Sequence, residues 1–196
     1  MARTKIQIFN RAIGLLNKAP ITSFVNGGVF AQNGESTFDD LLESVLATNN
    51  WRFATKVAPL TKQTSDISYW QNKYLLPPDY LSLWKIYPES YEFQIYENSL
   101  LYSNIDISLI EYRFLPEITL LPAHFIRYFI YLLASELALS GAASESLYEK
   151  LNAKAEFHYG LALSTDSQAH PNETVIDNPF FTVRYIDSTH HYGIIP

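Results

Sequence analysis

Apolar positions recur at helical intervals in four stretches of the chain. In the first, Ile6, Phe9, Ile13 and Leu16 repeat on one face, and Gln7 follows Thr4 in capping-box spacing. This predicts a helix over about 4–17, stopped by Pro20. Phe38, Leu41, Leu42, Val45 and Leu46 predict a second helix over about 37–49, capped by Ser36 or Thr37 and ended by Asn49 and Asn50. Between them, "VNGGVFAQNG" at 25–34 reads as a mobile loop; it has neither P-loop nor dinucleotide spacing, and no strand leads into it. Leu121 and Pro122 open a third helix over about 122–140, with Gly141 in the expected C-terminal position. Its Phe125, Ile126, Phe129, Ile130, Leu132 and Leu133 cover most of the circumference, which predicts a central position. Ser146 and Glu149 stand in capping-box spacing before a fourth helix over about 146–163, forming a hairpin with the third.

Between the second and third helices the period changes. Eleven of the 29 aromatic residues fall between Tyr69 and Tyr112, among β-branched positions and turn signals, which predicts strands at 69–76, 81–87, 91–96, 99–103 and 107–113. "YENSL" reads as a hairpin turn centred on Asn98 and Ser99. Pro77 and Pro78 cannot donate to a ladder and push their predecessors into extended backbone, so they must separate two strands. The expected fold is α+β and mainly helical: a body over 1–166 with four helices and a small antiparallel β-sheet inserted at about 56–113, then an extended C-terminal arm over 167–196. The arm opens with polar "STDSQAHPNETV" and closes with apolar "FFTVRYIDSTHHYGIIP". A free arm is polar and poor in aromatics. Phe180, Phe181, Val183, Tyr185, Ile186, Tyr192, Ile194 and Ile195 are therefore expected to bind a partner, on the chain's own body or as an added strand on another chain.

Composition narrows the function classes. With 196 residues, 47% hydrophobic and 17% charged, the chain has core material for one ordinary globular domain. A net charge of −6 argues against a protein that grips phosphate backbones, and the lysines between Lys56 and Lys73 read as a solvated strand-and-turn region. The absence of cysteine removes disulfides, thiolate zinc sites and cysteine nucleophiles. "MARTKIQIF" lacks the apolar core of a signal peptide, and Phe125–Leu139 contains Arg127 and Glu136 and falls short of the ~20 residues a membrane span needs.

Candidate chemistry is sparse. Glu136, Glu149 and Asp79 are the best acidic candidates for paired-carboxylate hydrolysis. Each also has a structural reading: Glu136 paired with Arg127 or another cation, Glu149 as the capping-box partner, Asp79 capping a turn. Asp39, Asp40 and Glu43 suit the positive end of a helix better than a metal site. His190 and His191, with His170 upstream, invite a metal reading, but adjacent side chains on extended backbone point to opposite sides. His124 and His158 read as core-edge histidines. No Ser-His-Asp signature is present. No catalytic residue, cofactor or metal ligand is expected.

Placed in order, four pieces carry a resemblance: "AIGLLNKAPITS", "NNWRFATKVAPL", "YLLPPDYLSLWKI", and "LPAHFIRYFIYLLASELAL" followed by "LYEKLNAKAEFHYGLAL". Over roughly residues 8–166 the chain resembles the head-to-tail adaptor family of short-tailed bacteriophages, also called tail tubular protein A or head completion protein. The loop at 25–34 is longer than the family's, and 167–196 has no counterpart. The resemblance implies a structural virion protein and no enzyme. It implies a ring, typically of twelve copies, assembled in the host cytoplasm and bound to the portal protein at the vertex between capsid and tail. Such a ring is a platform for the downstream tail or nozzle protein, and duplex DNA passes through its lumen during ejection without specific binding or any membrane contact. Twelve copies at −6 carry about −72, a charge that keeps DNA from sticking. Two other readings stand beside it: a tail-associated peptidoglycan hydrolase using Glu136 or Glu149, and a carbohydrate-binding module presenting its aromatic strands.

Overall fold

The computed structural model describes residues 3–90, 92–139 and 144–168. Helix α1 (Lys5–Gly14) starts with both halves of the expected capping box: the Gln7 amide donates to Thr4 Oγ1 at 3.3 Å and the Thr4 amide donates to Gln7 Oε1 at 3.1 Å. In the turn that follows it, Asn17 is in the left-handed region at φ 57°, and the Lys18 amide donates back to Ile13 O at 3.1 Å. Asn10 then fixes the outgoing chain by exchanging two 2.8 Å hydrogen bonds with the Ile21 backbone.

Helix α2 (Gly28–Thr48) corrects the reading of its approach. Most of the expected loop 25–34 is helical, and Ser36 and Thr37 are interior residues; the Thr37 hydroxyl donates to Asn33 O at 2.9 Å. Gly34 serves close packing here, and Gly28 takes a left-handed backbone at φ 76°. A Cβ on Gly34 would lie 2.5 Å from Cζ of the fully buried Phe9 ring, so α2 crosses α1 at a distance only glycine permits. With the helix starting nine residues earlier, Asp39 no longer sits at a helix end; it pairs instead with Lys5 of α1 at 2.7 Å, beside Glu35 at 3.1 Å.

After α2 a short 3-10 turn (Arg52–Ala54) leads into strands β1 (Thr55–Pro59), β2 (Lys62–Thr64), β3 (Asn72–Leu75), β4 (Tyr80–Tyr87), β5 (Phe93–Tyr96), β6 (Leu100–Ser103) and β7 (Leu109–Phe114). They form two antiparallel sheets where one was expected, in the orders β1-β7-β4 and β2-β3-β6-β5. Pro77 and Pro78 occupy the turn at which the chain leaves one sheet for the other, closed by the Tyr80 amide on Pro77 O at 3.0 Å. The hairpin of β5 and β6 turns at Glu97 and Asn98, both left-handed at φ 54° and 52°. β3 starts later than expected because Ser65, Ile67 and Trp70 hold a turn before it.

Helices α3 (Ala123–Leu137) and α4 (Glu145–Ser167) follow as the expected hairpin. α3 is central: α1, α2 and α4 all pack on it, and Phe125, Ile126, Phe129 and Leu133 are buried. Ser146 and Glu149 form no capping box, because α4 begins at Glu145 with Ser144 at its N-cap. α4 also continues past Leu163, because Asp166 is buried and accepts the Arg52 amide at 2.6 Å.

The apolar residues divide into a helical cluster around α3 and a smaller cluster between the sheets, including Tyr74, Leu101 and Ile110. Trp51 is the knot of the first. It is fully buried, donates Nε1–H to Val45 O at 3.2 Å, and meets Phe125 edge-on at 5.0 Å, Tyr128 at 6.0 Å and Tyr159 at 6.1 Å. Arg113 of β7 joins the sheets to the helices. Its guanidinium donates to Ala47 O, near the C-terminus of α2, and to Ser82 Oγ, each at 3.3 Å.

Gly34→Ala is expected to destabilise the fold by about 1–3 kcal/mol through overpacking against Phe9, although helix propensity alone predicts a gain of about 1 kcal/mol. Thermal melting followed by circular dichroism reads the sign. Trp51→Ala is expected to cost about 3–5 kcal/mol, measured by urea unfolding.

Candidate functional site

The expected partner-binding residues Phe180, Phe181, Val183, Tyr185, Ile186, Tyr192, Ile194 and Ile195 lie outside the described residues, as do His170, His190, His191 and Gly141. The acidic candidates do fall within them. Asp79 sits in the turn between β3 and β4, where Lys56 Nζ of β1 donates to it at 2.6 Å and the Tyr112 hydroxyl of β7 at 2.8 Å. The Lys56 hydrogen bond holds its carboxyl below the usual carboxylate range, opposite to the shift a general acid needs. Asp79 thus ties three elements together and does more than cap its own turn. Glu136 and Arg127 form no ion pair, because nine residues of helix separate them by about 13.5 Å. Glu149 is exposed on α4. None of the three lines a cleft described below. Among the described residues no three His, Asp or Glu side chains gather into a metal-holding group.

A groove of about 460 Å³ beside β4 is lined by Leu83, Trp84, Lys85, Ile86, Glu89, Ser90 and Phe93. Trp84 is 41% exposed, but the Arg113 guanidinium lies 4.8 Å from its ring centroid and occupies one face, leaving a poor stacking platform for a sugar. A smaller cleft of about 290 Å³ surrounds Asp166 at the end of α4, with His124 Nε2 at 3.7 Å from its carboxylate.

A third cleft, of about 610 Å³, lies between α1 and α3. Arg3, Arg11 and Arg127 line it over Leu15, Ala123, Ile130 and Tyr131. On the α4 side His158 stacks on Tyr131 with ring centroids 4.9 Å apart, and Lys154 Nζ lies 5.7 Å from the same ring. Burial pushes the His158 imidazole down from its ordinary value, and the charges of Arg127 and Lys154 push it further. The region is locally cationic although the chain carries −6 overall. Sequence reasoning passed over it because its residues come from three helices 120 positions apart and net charge averages them away.

Exposed large apolar side chains occur on strands and loops as well as helices, among them Val57, Leu75, Leu109 and Leu115, but on the helical side two groups stand out. Val25, Val29 and Phe30 are exposed at the start of α2, and Phe157 and Leu161, one turn apart, on α4. α2 and α4 each pack on α3 and not appreciably on each other.

Tyr112 is pushed up to about 12, by burial first and then by Asp79; burial pushes Tyr128 up to about 12 as well. A raised folded value stabilises fully below the ordinary tyrosine value of 10.0 and is lost as pH rises through about 12. Absorbance titration at the phenolate band is expected to show these two tyrosines ionising near 12, and Asp79→Asn to bring Tyr112 part of the way back.

A scan against protein-family models finds no match for the chain, and a search of curated proteins finds no significant match.

Proposed function

We propose that the chain is a structural, ring-forming subunit of a phage virion, a head-to-tail adaptor that binds the portal, extends the DNA channel and carries the tail. The observation that carries this reading is the pair of exposed apolar sets on α2 and α4. Single exposed apolar residues are ordinary, but grouped ones mark contact surfaces. Two such surfaces on different elements suit a subunit with a neighbour on either side, as a closed ring of heterologous contacts requires.

The order of elements supports the same reading. Two helices, a β insert and a helical hairpin follow each other as in the adaptor resemblance, with Trp51 of the "NNWRFATKVAPL" segment at the knot of the helical core. In this reading the four helices form the adaptor body and the sheets stand out from it. The apolar C-terminal segment, including Phe180, Tyr185 and Ile194, is the arm that engages the portal or a neighbouring copy. The acidic net charge suits a lumen through which duplex DNA slides.

The test is co-sedimentation with portal rings and electron microscopy of the product. The full chain is expected to give a ring of about twelve copies on the portal. The chain cut after Gln168 is expected to keep its circular dichroism spectrum and lose portal binding. Undiminished binding by the shortened chain counts against the arm. The absence of ring-sized species from the full chain, with and without portal, counts against the adaptor reading.

A further inference from the structure

Helix α4 is chemically two-sided. Its ridge of Leu151, Ala155 and Ala162 is buried. At 100° per residue, Lys150, Lys154 and Leu161 run along one flank, spaced i, i+4, i+11. Glu145, Glu149 and Glu156 run along the other with the same spacing. The two flanks are about 140° apart around the helix axis. Lys154 lies over Tyr131, so the basic flank adjoins the arginine cleft. The acidic flank lies on the side from which Tyr159 donates to Asn49.

Neither face finds a charged partner among the described residues, although Glu156 accepts a hydrogen bond from Asn152 at 3.1 Å. Among the described residues no carboxylate lies within 4.0 Å of Arg3, Arg11, Arg127 or Lys154, and no cation lies within 4.0 Å of Glu145, Glu149 or Glu156. Lys5, Lys56, Lys62 and Lys73, in contrast, all hold carboxylates. Three of the chain's six arginines line one cleft without a counter-ion among the described residues. Guanidinium groups so placed suit the two-pronged recognition of carboxylates.

We infer that the arginine cleft of one copy receives the acidic flank of α4 from a second copy. This names the faces through which the proposed self-association runs, and so rests on that reading. The charge complementarity selects the occupant: the flank presents three carboxylates over about 16.5 Å of helix, and the cleft and Lys154 oppose them with cations above the apolar floor of Ile130 and Tyr131. Because donor and acceptor faces lie on different sides of α4, the contact is head to tail and each copy keeps one free face of each kind, which closes only in a ring.

Charge reversal with exchange tests it on the full chain. One variant carries Arg11→Glu and Arg127→Glu, the other Glu149→Arg and Glu156→Arg; all four positions are exposed, and circular dichroism melts check that both variants fold. Sedimentation velocity over a concentration series at low ionic strength is expected to show each variant associating more than about a hundredfold more weakly than the parent. An equal mixture is expected to restore assemblies of parental size, because each reversed face then meets a complementary one. Variants that assemble like the parent, or a mixture that fails to recover, overturn the inference while leaving the adaptor reading in place. A parent that forms no assembly overturns the inference, and overturns the adaptor reading too if portal rings do not restore ring-sized species. Assemblies of the parent are expected to weaken as salt shortens the Debye length from about 10 Å at 0.1 M to about 3 Å at 1 M, and salt-independent assembly also overturns the charge-based contact.

Discussion

The burial of Trp51 is the constraint on which the helical half of the molecule depends. Its ring fills the space where the end of α2, the 3-10 turn, α3 and α4 meet, and edge-to-face contacts with Phe125 and Tyr159 fix the relative placement of these elements. Its indole N–H satisfies Val45 O, a carbonyl near the C-terminus of α2, so burying the one polar atom of the side chain leaves no unmet donor. The neighbouring Asn49 donates to the same carbonyl and accepts from the Tyr159 hydroxyl at 2.6 Å, which locks α4 against the same corner.

The sheet β1-β7-β4 is tied to this helical core by polar contacts and by Leu81 of β4, which packs against the apolar cluster. Arg113 is buried, and burial lowers its guanidinium from the ordinary arginine value, yet it stays useful because helix carbonyls at a C-terminus attract a cation. Ser82 shares the same carbonyl, with its hydroxyl 3.0 Å from Ala47 O. Within the β region, carboxylates do similar work at the surface: Asp79 ties Lys56 to Tyr112, and Asp66 ties Lys73 to Tyr102. Asp79 and Asp66 therefore tie the insert together, while the arginines of the cleft and the glutamates of α4 concentrate on the helical side.

That concentration shapes the functional reading. A chain with a net charge of −6 still gathers Arg3, Arg11 and Arg127 around one cleft, while its glutamates gather on the far flank of α4. Segregated charge and grouped apolar residues are features of surfaces that contact other proteins. In the proposed assembly, both halves of the match are carried on one chain.

Local physics made much of this legible in advance. The capping box at Thr4, the central place of α3, the helical hairpin and the hairpin turn at 97–98 all depend on residues within a few positions of each other, where periodicity and turn chemistry act directly. The opposed flanks of α4 were equally present in the spacing of Glu145, Glu149 and Glu156. Local rules failed where distant partners decide. The glycines at 27, 28 and 34 signal a loop by composition, but Gly34 belongs to a helix because Phe9 of another helix needs the space. Ser146 and Glu149 have cap spacing without a cap, because α4 starts at Glu145 with Ser144 at its N-cap. The division of the strands into two sheets and the meeting of three arginines from α1 and α3 depend on long-range closure. No short window of sequence encodes it; only the folded chain brings those residues together.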